Sequence, residues 1–384
     1  MRHQNSVFHA ITKHIPWGAF ERLVDEHNAD ARVRRLTTKH QFLALLYGQL
    51  AGAESLRDIV GAVESHAPRL YHLGARKVSR STLSDANNLR SADLFTGLFA
   101  RLVGQALPGL RKSMREPLRL IDSTSFRLSA LSDDWAQFSA NACGAKLHVV
   151  YDPDADCPLY AALSGPKVND ISAAKEMPID PKATYVFDLG YYDYGWWARL
   201  DAAGCRIVTR LKTNTKLSNV VDNAVPAGSN ILSDRIGLLP ERLAASRKNP
   251  FADPVREVQV RIETGKVLRI LSNDLDAPAD EIAALYKRRW QIELFFRWIK
   301  QTLKIRHFVG RSENAVRIQL AVALIAFVLL RLAHQAQTAV TSPLAFARLV
   351  RANLMHRKPI DRLDKPGPSP SRFKNQLSFA LSPC

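Results

Sequence analysis

The sequence predicts a mixed α/β fold, of the α+β type, preceded by an all-helical N-terminal domain over residues 1–112. Three observations lead to this prediction. Residues 1–112 carry apolar side chains at helical spacing. From residue 118, three short apolar segments follow one another as adjacent strands do, and strand and helix patterns then alternate. Residues 213–275 are short apolar pieces separated by Asn, Ser, Pro and Asp, which indicates a β-rich insertion.

In the N-terminal domain, helical spacing predicts helices at 20–26, 39–50, 55–65 and 89–107, the last ended by Pro108. A shorter helix is predicted to begin near Ser79. Its polar side would present Arg80, Ser81, Ser84, Asn87 and Asn88, whose donors and acceptors suit DNA phosphates and base edges. A capped turn on a solvated surface explains the same residues, so the sequence leaves both interpretations open.

The mixed α/β core is predicted from residues 113–212 and 276–340. Strands are expected at 118–121, 146–151, 159–163, 185–187 and 206–211, with helices at 169–177 and around Trp196 and Trp197. A buried helix is expected at 315–334. The C-terminal region, residues 341–384, is predicted to form one further helix to about residue 356. A basic, Pro-rich tail, predicted to be disordered, follows from residue 357.

Residues 286–300 form an amphipathic helical pattern without Gly or Pro. Beside its apolar stripe lies a second stripe in which one carboxylate is surrounded by cations. The members of this stripe are Tyr286, Arg289, Glu293, Arg297 and Lys300. Ion pairs of this spacing are also ordinary on solvated helices, so the pattern alone does not identify a site.

Two aspartates, Asp122 and Asp188, each follow a predicted apolar strand. A carboxylate in such a position is costly to bury unless it is paired, protonated or bound to a metal. Each alone is more typical of a turn or cap. Together with Glu293 they could supply the oxygen ligands of two Mg²⁺ ions, a centre that stabilises both oxygens of a phosphodiester displacement.

The composition favours a polyanionic partner, because Lys and Arg exceed Asp and Glu by 18 charges. The apolar run at 320–330 is too short to span a membrane and is followed by Arg331, so we expect a buried helix and no membrane partner. The four Cys are scattered, as in a cytosolic protein. The sequence has no GxxxxGK, GxGxxG, HExxH or GxSxG motif, which disfavours nucleotide cofactors and those hydrolase classes.

The spacing Tyr286-x2-Arg289-x3-Glu293-x6-Lys300 resembles the signature of prokaryotic insertion-sequence transposases of the DDE type, in the insertion-sequence-four family. The family's two aspartates match Asp122 in Ile-Asp-Ser-Thr and Asp188 in Asp-Leu-Gly-Tyr. The segments Lys-Leu-His at 146–148 and Arg-Leu-Lys at 210–212 are also similar to family segments. Leu189 departs from the pattern, because many relatives carry a basic residue there. The resemblance covers about residues 10–335.

The resemblance implies a ribonuclease-H-like catalytic core with a β-rich insertion between the second aspartate and the glutamate. It implies that Asp122, Asp188 and Glu293 are catalytic ligands of two Mg²⁺ ions, which Mn²⁺ can replace. Tyr286 and its cationic neighbours Arg289 and Lys300 would hold the terminal phosphates of the DNA. Arg297, Arg80, Ser81 and Asn87 complete the DNA-binding residues that we expect.

The partners expected of such a protein are double-stranded DNA, as transposon terminal inverted repeats and target, and a second copy of the chain in a homodimer on DNA. The place of action would be the prokaryotic cytoplasm, at the nucleoid. Two alternatives remain at this point: a metal-dependent nuclease on the same fold, and a DNA-binding repressor that descends from a transposase.

Overall fold

The structure is a computed structural model of the 384-residue chain, and it describes residues 6–70, 75–111, 116–139, 142–225, 227–244, 247–305 and 308–365. The described N-terminal part is helical, as predicted. Its helices are α1 (Val7–Thr12), α2 (Trp17–Glu26), α3 (Thr38–Ala51), α4 (Leu56–Ser65), α5 (Ala67–Leu70), α6 (Arg80–Leu89) and α7 (Ala92–Leu110).

Side-chain caps set the start of several of these helices. Ser55 accepts a hydrogen bond from the Asp58 amide at the start of α4, and Ser79 accepts one from Thr82 at the start of α6. The predicted end of α7 at Pro108 is wrong, since the helix continues to Leu110. A proline so close to a helix end removes a single hydrogen bond, which the last turn tolerates.

The central sheet contains a five-stranded unit in the order β4-β3-β1-β5-β6. Its strands are β1 (Leu118–Leu128), β3 (Ala142–Asp152), β4 (Cys157–Ser164), β5 (Thr184–Val186) and β6 (Arg206–Arg210), and the short β2 (Gln137–Ser139) also pairs with β3. The pairs β1–β3 and β3–β4 are antiparallel, whereas β1–β5 and β5–β6 are parallel. This arrangement confirms the ribonuclease-H-like core.

Short helices connect these strands. They are α8 (Asp133–Ala136), α9 (Asp170–Lys175) and α10 (Tyr194–Ala202). Apolar residues of α9 and α10, including Ala174, Trp196 and Trp197, form a buried cluster with Ile121 and Tyr185 on one face of the sheet. We call this the α9–α10 face.

The predicted β-rich segment is made of strands, but it extends the core sheet. It contains β7 (Ser218–Asp222), β8 (Ile231–Leu238), β11 (Val255–Arg261) and β12 (Val267–Ser272), and the separate pair β9 (Arg242–Ala244) and β10 (Arg247–Lys248). The predicted hairpin is present as β11–β12. Strand β12 pairs with β6, and the sheet continues through β11 and β8 to β7.

The C-terminal helices are α11 (Ala279–Arg288), α12 (Trp290–Thr302), α13 (Glu313–Gln335) and α14 (Pro343–Asn353). The single helix predicted at 286–300 is interrupted at Arg289, which keeps helical backbone angles of −51° and −31°. The stripe of polar residues therefore continues across the interruption. Helix α12 packs with α13 against the second face of the sheet, which we call the α12–α13 face.

Helix α13 lies at the centre of the molecule and packs against α3 and α7 as well as the sheet. It is long and apolar enough to cross a membrane, but 83% of its apolar window is buried inside the protein, as in a core helix. The N-terminal helices and the catalytic sheet thus share one apolar core.

Part of the C-terminal tail differs from the prediction. Residues 357–365, predicted to be disordered, contain a turn of 3-10 helix at Ile360–Arg362, and Leu363 is buried. Burial of this leucine against the core stabilises a segment whose composition is otherwise polar. Residues 366–384 lie outside the described residues.

Candidate active site

Strand register places Asp122 and Asp188 side by side. In the parallel pair of β1 and β5, Leu120 is opposite Val186. Asp122 lies two residues farther along β1, and Asp188 lies two residues after Val186, just beyond the end of β5. Side chains two residues apart lie on the same face, and neighbouring strands are about 4.8 Å apart. Asp122 is therefore on the α12–α13 face, and Asp188 follows the end of the neighbouring strand β5.

The prediction that β1 ends at Asp122 is wrong. The strand continues for six residues because its antiparallel partner β3 continues beside it, from Asp122 opposite Val149 to Leu128 opposite Cys143. The apolar segment of β1 ends near the position where its parallel neighbour β5 ends, whereas β1 itself continues. Asp122 consequently has a paired, rigid backbone.

Glu293 reaches the same place from α12. One Arg289 nitrogen, Nη2, donates a hydrogen bond to Glu293 Oε1 at 2.6 Å, and Nη1 donates to Asp122 Oδ2 at 3.3 Å. The guanidinium therefore bridges the two carboxylates. The predicted i,i+4 relation of Arg289 and Glu293 is present, and it connects the helix to β1.

The pKa of Asp122 reflects both its burial and the charged groups around it. Its pKa is raised from 3.8 to about 6, mainly by burial and to a smaller extent by the charges of Asp188 and Glu293. The Ser123 amide and Arg289 act in the opposite direction. An excess of negative charge thus collects at a site where 18% of the Asp122 side chain is exposed.

An open cleft of about 350 Å³ lies in front of Asp122 and Glu293, and Arg297 and Lys300 also line it. Lys300 Nζ donates to the Ser125 carbonyl at 3.0 Å and lies 5.1 Å from the centre of the Phe126 ring. The volume and the mixed charges suit a phosphate group that enters from solvent.

Arg297 and Tyr286 have different surroundings, and only Arg297 is among the residues that line this cleft. The guanidinium of Arg297 is 5.8 Å from the ring centre of Trp290, which is 51% exposed. Tyr286 is buried, which raises the pKa of its phenol, while the charges of Arg289 and Arg210 lower it. Arg210 is the last residue of β6.

The chemistry of the three carboxylates fits a divalent cation. Carboxylate oxygens are the preferred ligands of Mg²⁺, and a cation would stabilise the charged form of Asp122, which burial and, to a smaller extent, Asp188 and Glu293 disfavour. Within the described parts of the chain, no three acidic, His or Cys side chains meet at metal-binding distance. Arg289 supplies the positive charge between Asp122 and Glu293 in this structure.

Only some of the residues that were predicted to form the exposed polar side of α6 are exposed. Arg80 and Ser81 are exposed, in agreement with a DNA-contacting side. The assignment of Asn87 to that side is wrong, because Asn87 is 3% exposed and accepts a hydrogen bond from Gln41 Nε2 at 2.8 Å. The helical spacing was correct, but the sequence could not show that α3 covers this position.

A second polar cluster, around Asp170, was not predicted from the sequence. Asp170, at the start of α9, contacts Ser123, Lys146 and His148 on the α9–α10 face. The buried phenol of Tyr191 lies close enough that the charges of Asp122, Asp170 and Asp188 add to the effect of burial in raising its pKa. The Lys-Leu-His segment was noted, but no local signal connects it with residue 170.

Comparison with known proteins gives two family-model matches. The model described as "Transposase DDE domain" matches residues 113–329, which is more than half of the chain. A domain of unknown function matches residues 3–76.

Curated relatives are similar over most of the chain. A putative transposase of Sinorhizobium fredii is 40% identical over 326 residues, which are 83% of this chain and 90% of the relative. A probable transposase for an insertion sequence element of Geobacillus stearothermophilus is 28% identical, over 75% of this chain and 76% of the relative. A solved piggyBac transposase synaptic complex with hairpin DNA gives a TM-score of 0.47 at 11% identity, over 97% of this chain and 84% of that one.

Proposed function

Because the chain belongs to the family of DDE transposases, we propose that Asp122, Asp188 and Glu293 are the carboxylates that carry its catalytic metals. The family makes this chain an enzyme of DNA transposition that cleaves DNA and transfers strands. The observation that supports the residue assignment is the Arg289 bridge between Asp122 and Glu293, with Asp188 beside Asp122 in the strand register.

The proposed cofactor is a pair of Mg²⁺ ions, which Mn²⁺ can replace. When bound, such ions activate water as a nucleophile and stabilise the attacking and leaving oxygens of phosphodiester exchange. The protein supplies rigid ligands from β1 and the end of β5, and a third from α12. Pairing of β1 with strands on both sides limits the movement of Asp122.

The DNA end is proposed to enter the cleft in front of Asp122 and Glu293. Lys300 lies at the wall of this cleft, and Arg297 extends it over Trp290. The Arg289 guanidinium, which contacts both Asp122 and Glu293, is 5.9 Å from the ring centre of Tyr286, so this pair would offer a cation and a phenol to a further phosphate. Such contacts orient the scissile phosphate, which accelerates the reaction by positioning it.

Helix α6 is the proposed second contact with DNA. Arg80 and Ser81 are exposed near its N-terminus, where backbone amides and the helix dipole also favour phosphate. The DNA would be the terminal inverted repeats and the target, and the active form a homodimer that pairs two ends in the prokaryotic cytoplasm, at the nucleoid.

An assay of strand transfer tests the proposal. The wild-type chain is incubated with Mg²⁺, a labelled duplex that carries the inverted repeats flanking the gene, and a target plasmid. We expect cleavage at the repeat end and covalent joining to the plasmid. Cleavage without joining would support the nuclease alternative, and binding without cleavage the repressor alternative.

A further inference from the structure

Asp170 is the centre of a polar cluster on the face of the sheet opposite to Glu293. Its Oδ1 accepts a hydrogen bond from Ser123 Oγ at 2.9 Å and one from Lys146 Nζ at 3.3 Å. The same oxygen is 3.8 Å from Nδ1 of His148, which is fully buried. A carboxylate with one cation at a helix start is ordinary, so the contact with Ser123 is the informative one.

Ser123 directly follows Asp122 in β1, and its side chain points to the α9–α10 face because neighbouring side chains alternate. Asp122 itself points to the other face. The hydrogen bond from Ser123 to Asp170 therefore holds the strand at Asp122 from behind.

Asp170 also contacts the turn that carries Asp188. After Asp188 the chain forms a turn of 3-10 helix at Leu189–Tyr191, in which the Gly190 amide donates to Asp188 Oδ1 at 2.8 Å. A Cβ atom on Gly190 would lie 3.0 Å from Asp188 Oδ1 and 3.3 Å from Asp170 Oδ2. Both carboxylates thus lie next to the space that a side chain at Gly190 would occupy, and glycine leaves that space free.

We propose that Asp170 is a positioning residue that fixes the relative placement of Asp122 and Asp188 from the opposite face of the sheet. One of its oxygens accepts the hydrogen bond from Ser123, directly after Asp122, and the other lies next to Gly190 in the turn after Asp188. The inference rests on the proposed role of the two aspartates as metal ligands. Groups that orient metal ligands commonly change metal affinity or activity by about 10- to 100-fold when replaced.

Asp170→Ala and Asp170→Asn test this role. Alanine removes both contacts, and we expect the dissociation constant for Mn²⁺ on the DNA-free protein, and the Mg²⁺ concentration for half-maximal nicking, to rise about tenfold or more. Asparagine keeps an oxygen that accepts from Ser123, so it should restore part of the loss. Affinity for the DNA end should stay within about twofold, since Asp170 contributes no contact to the proposed DNA cleft.

Two control variants distinguish positioning from a loss of stability. Glu176→Gln changes an exposed carboxylate next to the same helix, and Met177→Ala removes a buried apolar contact close by. Met177→Ala should lower the melting temperature without changing the metal requirement, and Glu176→Gln should change neither. A metal requirement that rises equally in Met177→Ala and Asp170→Ala would overturn the proposal.

Gly190→Ala provides an independent test through the same contact. The added methyl group should displace the two carboxylates and raise the metal requirement, and its effect should be smaller in an Asp170→Ala background, because one of the two close contacts is gone. Strictly additive effects would contradict the inference.

Failure of this inference is separable from failure of the proposed function. If the wild type binds Mn²⁺ and Asp170→Ala binds it with the same dissociation constant, only the role of Asp170 is refuted. A wild-type chain whose Mn²⁺ affinity is unaffected by Asp122→Asn would refute the metal-ligand assignment itself.

Discussion

Replacing Asp122 with asparagine should stabilise the metal-free protein at neutral pH, although it should abolish cleavage. Burial, with the charges of Asp188 and Glu293, makes ionisation of Asp122 unfavourable in the folded state. Asparagine is similar in shape to the neutral acid and carries no charge. Sites that gather like charges for function commonly reduce stability in this way.

The size of the effect follows from the pKa of Asp122. The difference between 3.8 and about 6 corresponds to about 3 kcal/mol, at about 1.36 kcal/mol per pH unit. Folding raises the pKa of Asp122, so the folded protein binds this proton more tightly than the unfolded chain does. The resulting stabilisation is fully present below pH 3.8 and is lost as pH rises through about 6. Asp122→Asn should therefore match the wild type near pH 3.8 and exceed its free energy of unfolding by up to about 3 kcal/mol at pH 8.

Urea unfolding in EDTA, from pH 4 to pH 8, measures this difference. Asp85→Asn, which changes an exposed aspartate on α6, serves as the matched control and should show no such pH-dependent gain. Added Mg²⁺ should then stabilise the wild type more than Asp122→Asn, because ligands stabilise the state that binds them. A variant less stable than the wild type at pH 8 in EDTA would refute the electrostatic reasoning.

Two further predictions concern DNA binding. With 18 excess positive charges, the logarithm of the affinity for DNA should fall linearly and steeply with the logarithm of salt concentration, and a flat response in filter binding would contradict a phosphate-dominated interface. Arg80→Ala should weaken binding in a gel shift without lowering the melting temperature. Asn87→Ala should instead cost about 1–3 kcal/mol of stability, because it leaves the buried Gln41 amide without its acceptor. If Arg80→Ala and the wild type bind DNA with equal affinity, the start of α6 is a capped turn on a solvated surface and does not contact DNA.

The sequence predicted the elements of the site better than its surroundings. Periodicity located α12 and its polar stripe, and the alternation of strands and helices predicted a mixed α/β sheet. These features are local, or follow from rules of connection that apply to most sheets. The ribonuclease-H-like form of the core was implied by the family resemblance. The signature residues at 286–300 could also be identified from their spacing alone, without information on packing.

The parts that the sequence could not give depend on contacts between distant segments. The burial of Asn87 depends on α3, and the extension of β1 past Asp122 depends on its pairing with β3. Asp170 lies on a short helix, and its relation to Asp122 and Asp188 becomes visible only when α9 is packed on the sheet. A charged residue at a helix start carries too many ordinary explanations to be singled out beforehand.

The measurement that tests the central claim most directly is nicking of a labelled transposon end by Glu293→Gln, with a gel shift on the same end. Glutamine keeps the shape of Glu293 but removes the charge that would hold Mg²⁺, so we predict that nicking falls by orders of magnitude while affinity for the end is kept or increased. Glu313→Gln, an exposed control at the start of α13, should leave both unchanged. Lys300→Ala should lower the rate together with affinity for the end. Near-normal nicking by Glu293→Gln would contradict the claim. It would instead indicate that Glu293 only forms an ordinary i,i+4 ion pair with Arg289, whose loss costs about 0.2–0.5 kcal/mol of helix stability and leaves the reaction intact.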